Sequence, residues 1–344
     1  MKKYIGKQSI AFDNPPCILS EASIAGQKEY EGPLGGYFDK IEKDPMCGGN
    51  TWEEAESLLQ QKAATLAIEK AGLVLEDIRY LVAGDLLGQL IATSFGVESL
   101  NIPMFGVYGA CSTMGESMSI ASILVDGGYA DKAVALTSSH FAGAEKQFRF
   151  PLAYGNQRPL SATWTVTGSG AVVLGEAPAG AKNWLGIKGI TTGKVIDFGI
   201  KDSMNMGACM APAAFDVIFH HLSDFGLQPE YYDKIITGDL GMVGKEILLD
   251  MMKEKGLDIS KQYMDCGIEI YDPKTQDTHS GGSGCGCSAI TLTGYIIKQM
   301  RRKKWKKIFF VPTGALLSTV SFNEGNSVPG IAHGVAIEVI DETD

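Results

Sequence analysis

This chain of 344 residues predicts a duplicated α/β fold, with mixed sheets covered by helices, on three observations. Three segments of its first half recur in the same order in its second. Short apolar runs ending at glycine alternate with helix-period patterns, as strands buried on both faces alternate with covering helices. The 42 glycines supply many tight turns, and the length exceeds what one small core fills.

The repeats are specific. Asp77 to Gly88 and Asp233 to Gly241 are both buried-strand patterns ending in Gly-Asp-Leu. Gly109-Ala110-Cys111-Ser112 opens a helix leading to the strand Ala133 to Leu136. Gly284-Cys285-Gly286-Cys287-Ser288 opens another leading to Ile308 to Val311. Gly168 to Glu176 matches Ala332 to Val339. The chain therefore reads as two similar halves, residues 1–180 and 181–344, joined near Pro178 to Lys182.

The remaining elements carry their own punctuation. Thr51 and Glu54 form a capping box ahead of Ala55, Leu58, Leu59, Leu66 and Ala67, and Gly72 ends that helix. Apolar Met114, Met118, Ala121, Leu124 and Val125 continue the helix that Cys111 opens. Pro212 places a first helical turn before Phe215, Ile218, Phe219 and Leu222, closed by Gly226. Ile247, Leu248, Met251 and Met252 mark a helix between Gly241 and Gly256. The stretch His140 to Leu160, aromatic and basic, has no equal in the second half and reads as a pocket wall or cover.

Composition bounds the function. Hydrophobic residues are 45% and charged ones 20%, as in soluble globular enzymes. A net charge of −10 excludes nucleic acid as a bulk partner. Seven irregularly spaced cysteines fit a reducing compartment rather than a disulfide framework. Lys2 and Lys3 are followed by no apolar segment, so no signal peptide is expected. No run reaches the ~18 apolar residues that span a bilayer.

Cys111 is the focal residue. A bend from strand to helix puts it at a helix N-terminus, where backbone N–H groups and the dipole favour a thiolate. A buried, inert cysteine fits the same pattern.

The Gly-Ala-Cys-Ser elbow on two strand–helix halves resembles the thiolase fold, near its ketoacyl synthase III branch, over essentially the whole chain. That resemblance implies a five-layer αβαβα fold with two pseudo-twofold-related halves. Phe148-Arg149-Phe150-Pro151, Trp164-Thr165-Val166-Thr167-Gly168 and Gly281 to Ser288 resemble more closely the stage V sporulation protein AD family. Membership implies a spore protein that binds dipicolinic acid and helps move it into the developing spore.

The thiolase-like resemblance also implies a catalytic set, which this chain lacks. Condensing enzymes pair the Cys nucleophile with a His after a strand and with an Asn or His in a glycine-rich loop. Gly238 stands at the first position and Cys285 at the second. His140, His220, His221, His279 and His333 fall on neither. Acyl transfer needs a base for the thiol and a donor for the oxyanion. Gly238 supplies neither, and an inward-facing Asp239 raises the thiol pKa. The expectation is a retained cleft without chemistry. The alternative is an acyl-CoA-dependent condensing or acyltransferase enzyme using Cys111, with His140 or His279 as a substitute base.

A dipicolinate dianion needs local cations or N–H donors. Arg149 and Arg158 offer planar forks for carboxylates, and Tyr154 offers a ring to stack on. The helix start at Ser112, the strand end at Ser139 and His140, and Asp239 and Cys285 complete the expected ligand site. Calcium accompanying the ligand stays open, as does a homodimer. No resident cofactor is expected. Cys285-x-Cys287 has no second pair to make a metal site, so no metal is expected either. The run Lys298 to Lys307, seven basic residues in ten with Trp305, fits either an anionic-lipid contact or a solvated helix end. The family reading places the protein peripherally on the cytoplasmic face of the forespore or spore inner membrane, with the membrane proteins of the same transport system as partners.

Overall fold

In the computed structural model, which describes residues 3–148 and 157–341, the chain forms five layers: helix, sheet, helix, sheet, helix. The strands of the first half are β1 (Cys17–Gly26), β2 (Tyr80–Gly84), β3 (Met104–Gly106), β4 (Lys132–Ser139), the short β5 (Trp164–Thr165) and β6 (Gly168–Gly175). Across the sheet the order is β1-β6-β4-β2-β3. β6 is antiparallel to both its neighbours, and β4, β2 and β3 are parallel.

The second half repeats that order strand for strand. It contains β7 (Trp184–Thr192), β8 (Lys234–Thr237), β9 (Tyr263–Asp265), β10 (Gly282–Ser283), β11 (Lys307–Val311), β12 (Thr313–Ala315) and β13 (Gly330–Ile340). The sheet runs β7-β13-β11-β8-β9, with β13 antiparallel to its neighbours and the rest parallel. The recurring strand segments of the sequence fall on β2 and β8, β4 and β11, and β6 and β13. The two sheets meet where Gly186 of β7 pairs with Cys17 of β1, giving one sheet of 14 strands that also takes in the short strands Tyr4–Ile5, Ser9–Ala11 and Lys40–Glu42.

Helices α1 (Trp52–Lys70) and α2 (Ile91–Glu98) cover the outer face of the first sheet. Helix α3 (Thr113–Asp126) lies between the sheets. α4 (Phe141–Phe148) caps the first half's cleft, and α5 (Met206–Phe225) and α6 (Gly241–Glu254) cover the second sheet outside. α7 (Cys285–Thr291) joins α3 in the middle layer and runs through a π turn, Leu292–Ile296, into α8 (Ile297–Arg301). Met114 and Met118 of α3 and Ile290 of α7 are wholly buried. Each such side chain contributes about 1.5–3 kcal/mol of burial, so the middle layer anchors both halves.

The capping box is half reciprocal. Thr51 Oγ1 accepts from Glu54 N at 3.1 Å, whereas Glu54 Oε2 accepts from Asn50 N at 2.7 Å, one residue before the cap. Helix α5 starts earlier than its proline predicts. Asn205 caps it at Ala208 N, and Pro212 sits inside the helix. A stronger cap upstream outweighed the N-terminal preference of proline. Among the described residues, no helix is long and apolar enough to cross a membrane.

Candidate functional site

The elbow is built by a strained backbone. After β3, Ala110 adopts a left-handed conformation, φ 48°, which costs a non-glycine residue on the order of 1 kcal/mol. Local bonds hold it there. Ser112 Oγ donates to Gly109 O at 2.7 Å, and Thr113 Oγ1 donates to Ala110 O at 2.6 Å. From the other half, β12 passes directly beneath. A Cβ on Gly314 would lie 2.2 Å from Gly109 O, so only glycine permits the approach. The bend delivers Cys111 to the seam between the halves, at the start of α3.

Cys111 is 6% exposed and its thiol lies beside the Asp239 carboxylate. Burial first, then the charge of Asp239, pushes the thiol well above its ordinary 9.0. The helix N-terminus does not overcome these two effects, so Cys111 is a protonated thiol and not the thiolate that the elbow alone suggests. Asp239 is held by Gly284 N at 3.0 Å and by Thr313 Oγ1 at 2.9 Å. Its own burial raises the carboxyl to about 7, against the opposing pull of the Cys111 thiol. Thr313 and Gly284 are therefore site residues that the sequence pattern alone does not single out.

The two partner positions are filled by groups that cannot act as partners. A Cβ on Gly238 would lie 3.0 Å from Pro312 Cα and 3.0 Å from Thr313 N, both backbone. Cys285 turns away from the cavity and donates its thiol to Ala110 O at 3.0 Å. Burial raises that thiol too, far past its ordinary value.

Above Cys111 lies a small, partly open cavity of about 30 Å³, walled among the described residues by Leu86, Ala144, Phe148, Met206, Ala315 and Leu317. That holds roughly two water molecules. Its polar lining is Tyr108, Cys111, Glu145, Thr165, Ser283 and the Gly284 backbone. Glu145 Oε1 accepts from Thr165 Oγ1 at 3.3 Å. The described lining contains no lysine, arginine or histidine.

The other expected ligand residues are spread more widely. Ser112 is buried in the elbow. Ser139 Oγ supports the glycine-rich loop from behind, accepting from Gly286 N at 2.9 Å and donating to Val166 O at 2.7 Å. His140 lies outside the cavity. Its ring stacks on Trp52 at 5.5 Å, Nε2 donates to Pro45 O at 2.8 Å, and burial lowers its pKa. His279 is bound to Pro159 O and Asp277, also away from Cys111. Neither stands as a substitute base. Arg149 and Tyr154 lie outside the described residues.

Arg158 faces elsewhere. β5 pairs with β10, Thr165 of β5 lines the cavity, and the adjacent Trp164 points to the opposite face of that ribbon. Trp164 stacks on Phe141 at 4.1 Å and receives the Arg158 guanidinium at 4.9 Å and the Lys28 ammonium at 4.3 Å. Arg158 also donates to Asp277 O at 2.8 Å and to Asp277 Oδ2 at 3.0 Å, with its side chain 3% exposed. It ties segments of the two halves together. The basic run is partly consumed internally: Lys298 pairs with Asp39 and Arg301 with Glu21.

The layers and the Cys elbow define a thiolase-like protein of the ketoacyl synthase III type. Structural relatives agree. OleA from Xanthomonas campestris superposes with a TM-score of 0.59 at 17% identity, over 95% of this chain and 97% of that one. The tetronic acid condensing enzyme AbyA1 gives 0.58 at 15%, over 94% and 99%. The 3-oxoacyl-[acyl-carrier-protein] synthase III of Aquifex aeolicus gives 0.53 at 12%, over 94% and 99%. Within that fold, the chain belongs to the stage V sporulation protein AD family, whose model matches residues 6–338. It is 45% identical to stage V sporulation protein AD of Bacillus subtilis (strain 168) over 336 residues, 98% of each chain.

Proposed function

We propose that this chain is a non-catalytic binding protein of sporulation that takes dipicolinic acid into the cleft over Cys111 and supports its uptake into the spore. One observation carries the reading. The nucleophile is present, but its thiol is held protonated against Asp239, and backbone fills the space of the base at position 238. A condensing enzyme requires the opposite arrangement.

The cavity is smaller than a pyridine dicarboxylate. Binding therefore requires Phe148, Met206 or Leu317 to move outward. Charge bears on which form of the ligand enters. Asp239 opposes a bare dianion, so the reading calls for a cation at the ligand, either the candidate Arg149 or calcium chelated by the ligand itself. The family context favours a peripheral position on the cytoplasmic face of the forespore inner membrane, beside membrane proteins of the same transport system.

Calorimetry with dipicolinate, with and without calcium, tests the binding. One site per chain is expected. Absence of binding in both conditions defeats the reading. Intact-mass analysis after incubation with acyl-CoA tests the chemistry. No adduct is expected, and an adduct abolished by Cys111→Ala would establish acyl transfer instead.

A further inference from the structure

We infer that the turn between α8 and β11 is a docking surface for an anionic lipid bilayer, made by the exposed side chains of Arg302, Lys303, Lys304 and Lys306 around Trp305. The inference is independent of the dipicolinate reading and goes beyond it.

The chain carries its own control, because the fold makes this turn twice. In the first half, α3 gives way to β4 through Asp126-Gly127-Gly128-Tyr129-Ala130-Asp131-Lys132. In the second, α8 gives way to β11 through Arg301-Arg302-Lys303-Lys304-Trp305-Lys306-Lys307. The backbones match residue for residue. Gly128 N donates to Val125 O at 3.0 Å and Tyr129 N to Leu124 O at 2.9 Å. Lys303 N donates to Met300 O at 2.8 Å and Lys304 N to Gln299 O at 3.0 Å. Gly128 and Lys303 are both left-handed, at φ 71° and 58°. The compositions do not match. Two acids and one lysine give the first turn a charge of −1, whereas six cations and no acid give the second +6. The geometry therefore does not require the cations. The helix dipole does not require them either, since α3 has no basic residue in its last turn.

Lys303 stands where the other long helices use glycine. α1, α3, α5 and α6 close on Gly72, Gly128, Gly226 and Gly256, all at positive φ. Glycine avoids there a strain that any side chain bears. The lysine's Nζ donates to Asn183 Oδ1 at 2.5 Å, a neutral partner. A cation kept at a strained position for so little internal return points to a contact outside the fold.

Exposure and charge select the partner. Arg302, Lys303, Lys304 and Lys306 are all exposed. The described acids around the turn include Glu21, bound to Arg301 at 2.6 Å, and Asp233, bound to the Lys306 and Lys307 amides at 2.6 and 3.0 Å. Glu338 is the ladder partner of Lys307, and Asp341 lies exposed just past β13. A local positive excess remains. The net charge of −10 belongs to the whole chain, and beyond ~10 Å it is screened at 0.1 M salt, so the local excess governs. Three of the four cations are lysines, which protein interfaces deplete and a diffuse layer of lipid phosphates accepts. Trp305 is half-buried, edge-on to Tyr295 at 5.8 Å. It sets an amphipathic ring among the charges, as at bilayer surfaces. The helical run from Cys285 to Arg301 separates the turn from the cleft. At 1.5 Å per residue that is roughly 25 Å, which keeps the cleft clear of a bound bilayer.

The test is co-sedimentation of the full chain with vesicles of phosphatidylcholine, with and without about 30% phosphatidylglycerol. The parent is expected to bind the anionic vesicles at about 0.05 M salt, to leave them at about 0.5 M, and to ignore phosphatidylcholine alone. Each cation at such a surface is worth roughly fivefold in partitioning. Combining Arg302→Gln, Lys303→Gly, Lys304→Gln and Lys306→Gln should therefore lower it by about a hundredfold or more. Lys303→Gly alone should weaken it about fivefold and melt at or above the parent, because it adopts the first half's own glycine. It is the readout if the combined variant does not fold. Absence of binding to the anionic vesicles overturns the inference in favour of an acidic protein partner. Binding that survives the combined change, or about 0.5 M salt, also overturns it. A Lys303→Gly variant that melts lower makes Lys303 a structural residue and defeats the inference too.

Discussion

Placing a histidine at position 238 tests the steric basis of the non-catalytic reading. A Cβ there meets Pro312 Cα and Thr313 N at 3.0 Å. The obstacle is backbone, which must shift to make room. Gly115 of α3 also lies near Pro312, where an added Cβ would lie 3.1 Å from the proline ring. Thr313 is fixed by its two bonds with Asp239. Overpacking of this kind costs about 1–3 kcal/mol for the first carbon. At ~2.1 cal/mol/K per residue, a chain of 344 residues loses roughly 1–4 °C of melting temperature for Gly238→Ala. Gly238→His must place a whole imidazole in the same gap, so it should melt lower still and gain no acylation. Thermal unfolding of parent, Ala and His variants gives the first result, and intact mass after acyl-CoA gives the second. A His variant that melts with the parent and acylates Cys111 would refute the steric argument and show that one substitution removed the activity.

Two further expectations follow from groups away from Cys111. Arg158→Ala removes charge-assisted bonds to Asp277 and a stack on Trp164, so chemical denaturation should show a loss of about 1.5–3 kcal/mol, with dipicolinate affinity within twofold of the parent. A large loss of affinity in a folded variant would move the ligand to the Trp164 face. His221 is held neutral between Thr191 Oγ1 and the Tyr232 hydroxyl, and burial lowers it to about 3. The unfolded chain protonates it near 6.5, the folded chain does not, and so stability falls as pH drops below 6.5. Between pH 7 and 5 that amounts to about 2 kcal/mol. Urea unfolding of His221→Gln at both pH values should show a correspondingly flatter loss than the parent, and an unchanged slope would contradict the assignment.

The sequence carried the architecture because its signals are local and repeated. Gly-Asp-Leu after β2 and β8, and a glycine-led helix start in each half, mark equivalent places in the strand order. The vacant base position was legible for the same reason, as Gly238 follows a recognisable strand. Directions of side chains were not legible. His140 is one residue past β4, yet its contacts are Trp52 and Pro45, about ninety residues away in sequence. Composition alone groups Arg158 with the ligand. The period-two alternation of Trp164 and Thr165 was the signal that separates its face from that of Cys111. The approach of Cys111 to Asp239 brings the two halves together, and no local pattern encodes it or the size of the cavity above it.

The pairing of β1 with β7 has a kinetic consequence. Because one hydrogen-bonded sheet runs through both halves, they cannot swing apart like two jaws to admit a ligand. The small cavity over Cys111 is lined by Phe148, Met206 and Leu317, so a ligand larger than it enters only if such side chains turn aside. Capture gated by such rearrangement is slower than simple collision, and the same gate delays escape. On the proposed binding function, a ligand held this way would stay for long residence times even at modest affinity, which would suit handing it to a neighbour better than sensing its fluctuating concentration.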